Sequence, residues 1–361
     1  MNFIKISLVL LFFLHGVLYF LYPEDLHNIS SVIKLIKYIL IVLFALFFSL
    51  KVKFRKIFNS ALFFIVFLSF YMISNSFEIS EKLILFLIPF LFMYMFIAEF
   101  NHHLIIKLTV VIYLITSIFS YVEYFFLNGI FSRFGFGDFG YRISSIYINP
   151  NNCGITMLFI SIYMLENSKN KIFNTIIYIN TFLVVLLTIS KTAMLLFFAY
   201  VLFKFFRQGI FILIVIGSVL LLYVDTTIDV EVLLSSFRHR NEYNSLFLNL
   251  ANENVFFPFL NFVQYTDNIY LQVWGYFGFL VATAFVIFNM LIMTVLFLKR
   301  DYVKLFTLIL FILTGVTTNF LYTWPLSYMY WGFIFYVLHT QIKNWYSLDV
   351  LVRGRSLLKS T

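Results

Sequence analysis

The side chains in this sequence best suited to chemistry on an anion are a few cations in three short segments. Arg142 stands beside Ser144 and Ser145 and just ahead of Asn149-Pro150-Asn151-Asn152. A guanidinium matches phosphate oxygens with two parallel N–H donors, so Arg142 reads as an anion clamp. The competing reading is an interfacial loop arginine that pairs with Asp138. Lys191, between Ser190 and Thr192, interrupts two apolar runs. It is either a phosphate contact at membrane depth or a hairpin tip reaching headgroups. Arg238-His239-Arg240 sets two cations around a side chain able to carry a proton. This triplet is either a second anion clamp or the solvated face of a surface helix, with Arg238 paired to Glu242 four residues on.

Two acids complete the set. Asp267-Asn268 opens an apolar run. Both residues are good helix N-caps, and a carboxylate there is also placed to take a proton from a hydroxyl. Glu123, late in another apolar run between Tyr121 and Tyr124, reads as a contact to a substrate hydroxyl or as the partner of one of the arginines.

What must position these residues is set by composition. The 361-residue chain is 62% hydrophobic and 11% charged, far below the roughly 25% charged residues of an ordinary soluble domain. The class is a polytopic membrane protein. With 51 Phe and only 13 Gly, its helices are expected to pack through bulky side chains more than small-residue contacts. The single cysteine, Cys153, allows no intramolecular disulfide and no cysteine metal cluster. The six His show no H-x-x-x-H spacing, and no metal or cofactor is expected. The first apolar run follows Lys5 and has no small-x-small cleavage site, so it reads as a retained span.

Apolar runs long enough to span predict an all-α transmembrane bundle of about twelve helices. They cover 6–22, 32–50, 57–77, 83–100, 104–127, 153–165, 173–188, 193–206, 210–224, 269–298, 303–322 and 326–338. The sixth is short unless it begins inside the preceding loop. The tenth is long enough to be tilted, or broken at Gly275 or Gly278. The bundle forms one domain over 1–361, with non-membrane loops at 128–152 and 225–266. In the second loop Val230, Leu233, Leu234 and Phe237 recur at helical spacing, as in a surface helix.

Lys and Arg concentrate in alternate loops, which places both termini in the cytoplasm. The outer side keeps only Lys34, Lys37, Lys82, Arg133, Arg142, Lys191, Arg238 and Arg240, while the acids lean outward. The net charge of +9 is therefore inner-leaflet anchoring against membrane lipids, and no nucleic-acid partner is implied. Five of the outer cations fall in just the three segments above, against the topological rule, so they need another reason.

The chain has no P-loop, no G-x-S-x-G elbow, no H-E-x-x-H and no D-x-D sugar-nucleotide motif. Outer arginines without a nucleotide motif suit a lipid-linked phosphate better than a nucleotide. Three stretches, in order, resemble the O-antigen polymerase and O-antigen ligase family of integral membrane glycosyltransferases. Arg142-Ile-Ser-Ser-Ile-Tyr-Ile-Asn-Pro-Asn151 is similar to that family's R-x-x-G-x-x-x-N-P-N, with Ser145 where Gly is usual. Leu187-Thr-Ile-Ser-Lys191-Thr192 is similar to L-x-x-S-R-T/G, with Lys for Arg. Asp267-Asn-Ile-Tyr-Leu271-x6-Gly278 is similar to H-N-x-Y-L-x6-G, with Asp for His.

The resemblance covers roughly residues 130–290. It implies an inverting, metal-independent glycosyl transfer at the periplasmic face of a bacterial inner membrane. The donor is an oligosaccharide on undecaprenyl pyrophosphate and the acceptor a sugar hydroxyl. Arg142, Lys191, Arg238 and Arg240 would bind the departing pyrophosphate. Asp267 would be the base or acceptor orienter, and Glu123, His239, Asn268 and Tyr270 would face the sugars. The Asp and Lys departures point to polymerase over ligase. A chain-length regulator and a flippase of the same pathway are the implied protein partners.

Overall fold

The computed structural model describes residues 89–90, 93, 102–127, 142–147, 149–205, 242, 244–249, 268–321, 323 and 325–340. The first three expected spans, most of the fourth, the ninth, nearly all of the 225–266 loop and the basic C-terminal tail lie outside the described residues. Among the described residues the regular structure is helical, without a strand.

The helix bounds follow from local chemistry. Helix α1 runs His102–Phe126. Helix α2, Pro150–Asn167, begins where the sequence reads as a turn. Asn149 is its N-cap, in extended conformation, and its side chain accepts from the N–H of Asn151 at 2.8 Å. Pro150 sits at the first helical position, where a missing N–H costs nothing. The helix expected over 153–165 thus begins inside the preceding loop. Helix α3, Lys171–Thr188, is capped by Asn170 and ends at Ile189 in the left-handed region, φ 50°. Helix α4 runs Lys191–Phe205, and the hydroxyl of Ser190 accepts from the N–H of Ala193. The tip between α3 and α4 is therefore Ile189-Ser190, and Lys191 is already helical.

The long tenth run is two helices, α5, Ile269–Phe277, and α6, Phe279–Leu298. Gly278 breaks them at φ 84°, ψ 165°, a conformation essentially reserved for glycine. Asp301 caps α7, Tyr302–Thr317, and a last helix, α8, covers 326–340. Among the described residues three helices are long and apolar enough to cross a membrane: Ile105–Phe126 within α1, α3 and α6. Their outward faces carry large apolar side chains such as Ile118, Phe125, Ile176 and Leu291, as lipid contact requires.

Helix α2 is the centre. Only Asn151, Tyr163, Glu166 and Asn167 along it escape burial. Helices α1, α3, α4 and α7 pack around it. Phe159 stacks on Phe311 of α7 at 3.7 Å between centroids, and Ser161 hydrogen-bonds Thr181 of α3 at 2.6 Å. Gly154 lets α2 meet the α3–α4 tip. A Cβ there would fall 2.8 Å from Ala193 Cβ and 2.9 Å from Thr188 Oγ1. Between α1 and α3, Asn180 donates to Tyr113 and Ser117 and accepts from Tyr121, a closed polar joint between apolar helices.

The bundle has two chemically different ends. One gathers the end of α1, the start of α2 and the α3–α4 tip. Thr192 meets Thr317 at the end of α7, and Tyr270 at the start of α5 donates to the Ile312 carbonyl. The opposite end holds the ion pairs Glu166–Lys204 and Asp301–Lys304. Gly154→Leu should lower the apparent unfolding midpoint of the detergent-solubilised protein, because overpacking costs about 1–3 kcal/mol. The same change at Ile176, exposed on α3, should leave it unmoved.

Candidate functional site

The segment Arg142 to Tyr147 lies between α1 and α3 and is pinned from both. On one side Glu123, fully buried in α1, receives the N–H of Ser144 at 3.0 Å, the Ser144 hydroxyl at 3.3 Å and the N–H of Ser145 at 2.5 Å. Hydrogen bonds to a carboxylate are among the strongest in proteins. On the other side the N–H of Ile143 donates to the carbonyl of Leu187, one of the last carbonyls of α3, at 3.2 Å. The segment then tightens into a 3-10 turn, Ser145–Tyr147.

Ser145 pays for that turn with a left-handed backbone, φ 52°. Its hydroxyl donates to the Thr116 carbonyl, and the Thr116 hydroxyl meets Tyr147 Oη at 2.7 Å. This is the position at which the similar motif carries glycine, the residue that takes positive φ without strain.

Arg142 leads this segment, half-buried. Its Nε donates to the carbonyl of Thr188 at 3.1 Å and its Nη2 to Oδ1 of Asn151 at 3.3 Å. The guanidinium therefore bridges the last residue of α3 and the first turn of α2. A guanidinium has five N–H donors, so three remain beyond these two contacts. Among the described residues no carboxylate pairs with it. Asp138, the alternative partner, lies outside them. Burial lowers the pKa of Arg142 from its ordinary value, because desolvation penalises the charged form, yet an arginine remains cationic.

Lys191 is exposed in the first turn of α4, three residues after Thr188. A cation there opposes the helix dipole. Helices α2, α4 and α5 all start at this end, and none has an acidic residue in its first turn. The starts of these helices and the two cations offer donors to an anion, beside the carbonyl ends of α1, α3 and α7 and the buried Glu123.

The remaining sequence candidates divide. Asn268 caps α5, its side chain accepting from the N–H groups of Tyr270 at 3.0 Å and Leu271 at 3.3 Å. The phenol of Tyr270 is tied to α7 through the Ile312 carbonyl at 2.9 Å. Both were expected to face a sugar. These bonds hold α5 in place, and the capping role expected of the Asp267-Asn268 pair rests on Asn268. Glu123, expected at a hydroxyl or an arginine, is buried and bound to the loop backbone. Asp267, Arg238, His239 and Arg240 lie outside the described residues. Of the 225–266 loop, residues 242 and 244–249 are described, Phe247 among them. It is buried against Leu271, Trp274 and Gly275 of α5, so this part of the loop seats on the same helix.

Three features escaped the sequence reading: the Thr188 carbonyl as an arginine acceptor, the Thr116 carbonyl as a serine acceptor, and the anchoring role of Glu123. Only the last had a signal, an acid isolated late in an apolar helix.

A cavity of about 490 Å³ lies elsewhere, between α1, α2, α7 and α8. Its walls are mostly apolar, and Glu166, Asp301 and Lys304 line it towards the opposite end. None of Glu123, Arg142, Lys191, Asn268 or Tyr270 lines it. Among the described residues no three His, Cys, Asp or Glu side chains gather as a metal site would need.

No family model matches the chain, and no curated protein or solved structure is significantly similar to it.

The backbone at Ser145 gives a direct check. Ser145→Val should destabilise the solubilised protein by about 1–3 kcal/mol, since a branched side chain at positive φ is strained and the Thr116 bond is lost. Ser145→Gly should stay close to wild type, strain relief offsetting the lost hydroxyl. Unfolding midpoints of the two variants, compared side by side, decide it.

Proposed function

We propose that this chain is an O-antigen repeat-unit polymerase of a bacterial inner membrane, a multi-pass glycosyltransferase. It joins a growing chain on undecaprenyl pyrophosphate to a new lipid-linked repeat unit at the periplasmic face. The observation that carries this reading is Arg142. It is a half-buried guanidinium with donors to spare and no carboxylate partner among the described residues, at an end where three helices start with no acid in their first turn. Such a site suits a phosphate-bearing leaving group. The three motif-like segments of the sequence supply the rest of the reading.

In the proposed reaction the acceptor hydroxyl oxygen attacks the anomeric carbon of the donor sugar. The carbon–oxygen bond to the pyrophosphate breaks on the opposite face, and the electron pair leaves with the lipid pyrophosphate. Negative charge grows on that leaving group in the transition state. Arg142, with Lys191 and with Arg238 and Arg240 of the outer loop, stabilises it there, where fixed donors act most strongly. Asp267, adjoining the α5 cap, takes the proton of the acceptor hydroxyl. His239 meets the sugars. Asn268 and Tyr270 act by setting where α5 begins. No cofactor or metal enters the scheme. A chain-length regulator and a flippase of the same pathway are the proposed protein partners.

The site alone serves equally a ligase that moves the finished chain to lipid A core. A transport reading draws on the 490 Å³ cavity, an apolar space within the bundle that a lipid-linked oligosaccharide flippase would need. The lipopolysaccharide ladder of a deletion strain separates the three. A single repeat unit on core is the expected result. Free long polymer with bare core would replace the reading with the ligase, and lipid-linked units trapped inside would replace it with the flippase.

Arg142→Ala, expressed at wild-type level in that strain, should cut the rate of transfer by about 10²–10³, the loss typical of one donor to a developing anion. Arg142→Lys should recover part of it, since the charge returns without the paired donors. Full-length chains from Arg142→Ala would remove Arg142 from the site.

A further inference from the structure

We infer that Glu123 is the positioning residue of the Arg142 site: its buried carboxylate holds the 142–147 segment in the one conformation that sets the guanidinium between α2 and α3. The inference rests on the reading of Arg142 as a phosphate contact.

The geometry leads there in steps. Two adjacent backbone N–H groups, of Ser144 and Ser145, point at one oxygen of the carboxylate, Oε2, and the Ser144 hydroxyl reaches the other. Adjacent N–H groups converge on a single acceptor only when the backbone turns sharply between them, and Ser145 makes that turn at φ 52°. A serine at positive φ persists only where its surroundings hold it there. Glu123 is the charged part of those surroundings, beside the Thr116 carbonyl and the Leu187 carbonyl that takes the N–H of Ile143. Two residues upstream, the same run of backbone delivers Arg142 to the Thr188 carbonyl and to Asn151. Released from Glu123, the segment would relax at Ser145 and carry the guanidinium off its two acceptors. Glu123 is fully buried, so it acts on a bound anion through Arg142 and not by touching it.

This predicts a behaviour that a plain core residue or a sugar contact lacks. Glu123→Gln keeps the size of the side chain and an acceptor oxygen for the two N–H groups, but removes the charge that strengthens those bonds. Replacing Ser145 by Gly removes the need to hold a strained backbone. The damage from Glu123→Gln should therefore be repaired largely by a second change, Ser145→Gly, which restores no bond to residue 123.

The test uses the full chain in detergent, with inorganic pyrophosphate as the probe. Pyrophosphate affinity is read from the shift of the unfolding midpoint. Amide hydrogen exchange of residues 143–147 reads the segment itself. Cys153, the only cysteine and fully buried one turn into α2, reports by maleimide labelling whether the neighbouring helix has opened. In Glu123→Gln we expect exchange of 143–147 to rise by about tenfold or more and pyrophosphate affinity to fall by about tenfold. Cys153 should stay unlabelled. In Glu123→Gln/Ser145→Gly most of the affinity should return.

Unchanged exchange in Glu123→Gln overturns the inference. So does a loss of affinity that Ser145→Gly leaves unrepaired, or labelling of Cys153 much faster than in wild type, which marks general loosening. Failure of the phosphate reading looks different: wild type and Arg142→Ala would then respond alike to pyrophosphate. In that case exchange at 143–147 still decides whether Glu123 positions the segment.

Discussion

A buried carboxylate that receives two adjacent backbone N–H groups fixes where this chain enters its own core. Glu123 sets the 142–147 segment, and the segment delivers the chain to Asn149 and Pro150, which start the central helix α2. Burying a carboxylate is costly unless its lone pairs are satisfied, and here backbone groups that must be satisfied anyway do so. The arrangement is mutual. The acid could not sit in an apolar helix without the loop, and the loop could not hold its left-handed serine without the acid. From this joint follow the register of α2 against α3, the close pass at Gly154 and the placing of Arg142.

The same joint explains the division of labour among polar side chains. Several inside the bundle satisfy one another: Asn180 with two tyrosines and a serine, Ser161 with Thr181, and Tyr330 with Asn289 at 2.8 Å. At the far end Glu166 pairs with Lys204 and Asp301 with Lys304. Arg142 differs, because its contacts are a carbonyl and an amide oxygen and neither carries a charge to neutralise its own. Lys191 sits where a helix dipole repels it. An isolated fold gains nothing evident from these two choices, and a bound anion would make sense of both.

Much of this was legible in the sequence, and the rest was hidden for physical reasons. Apolar runs near 104–127, 173–188 and 193–206 place α1, α3 and α4 to within a few residues, because hydrophobic length is a strong signal in membrane proteins. The break at Gly278 was visible as one of two glycines in an overlong run. The Asn-Pro-Asn stretch was read as a turn because its residues serve turns and helix caps alike, and only the backbone of Asn149 decides between them. Glu123 could be singled out as an oddity, but its partners lie about twenty residues on, across a loop, where spacing says nothing. That Ser145 stands in the left-handed region is beyond any propensity. It could be sensed only through the glycine of the similar motif.

Helix α2 also bears on how the protein is made. It is 18 residues long, yet it is not among the helices apolar enough to cross a bilayer by themselves. Its Asn, Ser, Thr and Glu side chains would each resist partitioning from the translocon into lipid as a lone segment. Its neighbours α1 and α3 do meet that requirement. To enter a membrane, this most enclosed of the described helices would need company, sheltered by helices synthesised before and after it. The order of synthesis α1, α2, α3 supplies one escort ahead of it and one immediately behind.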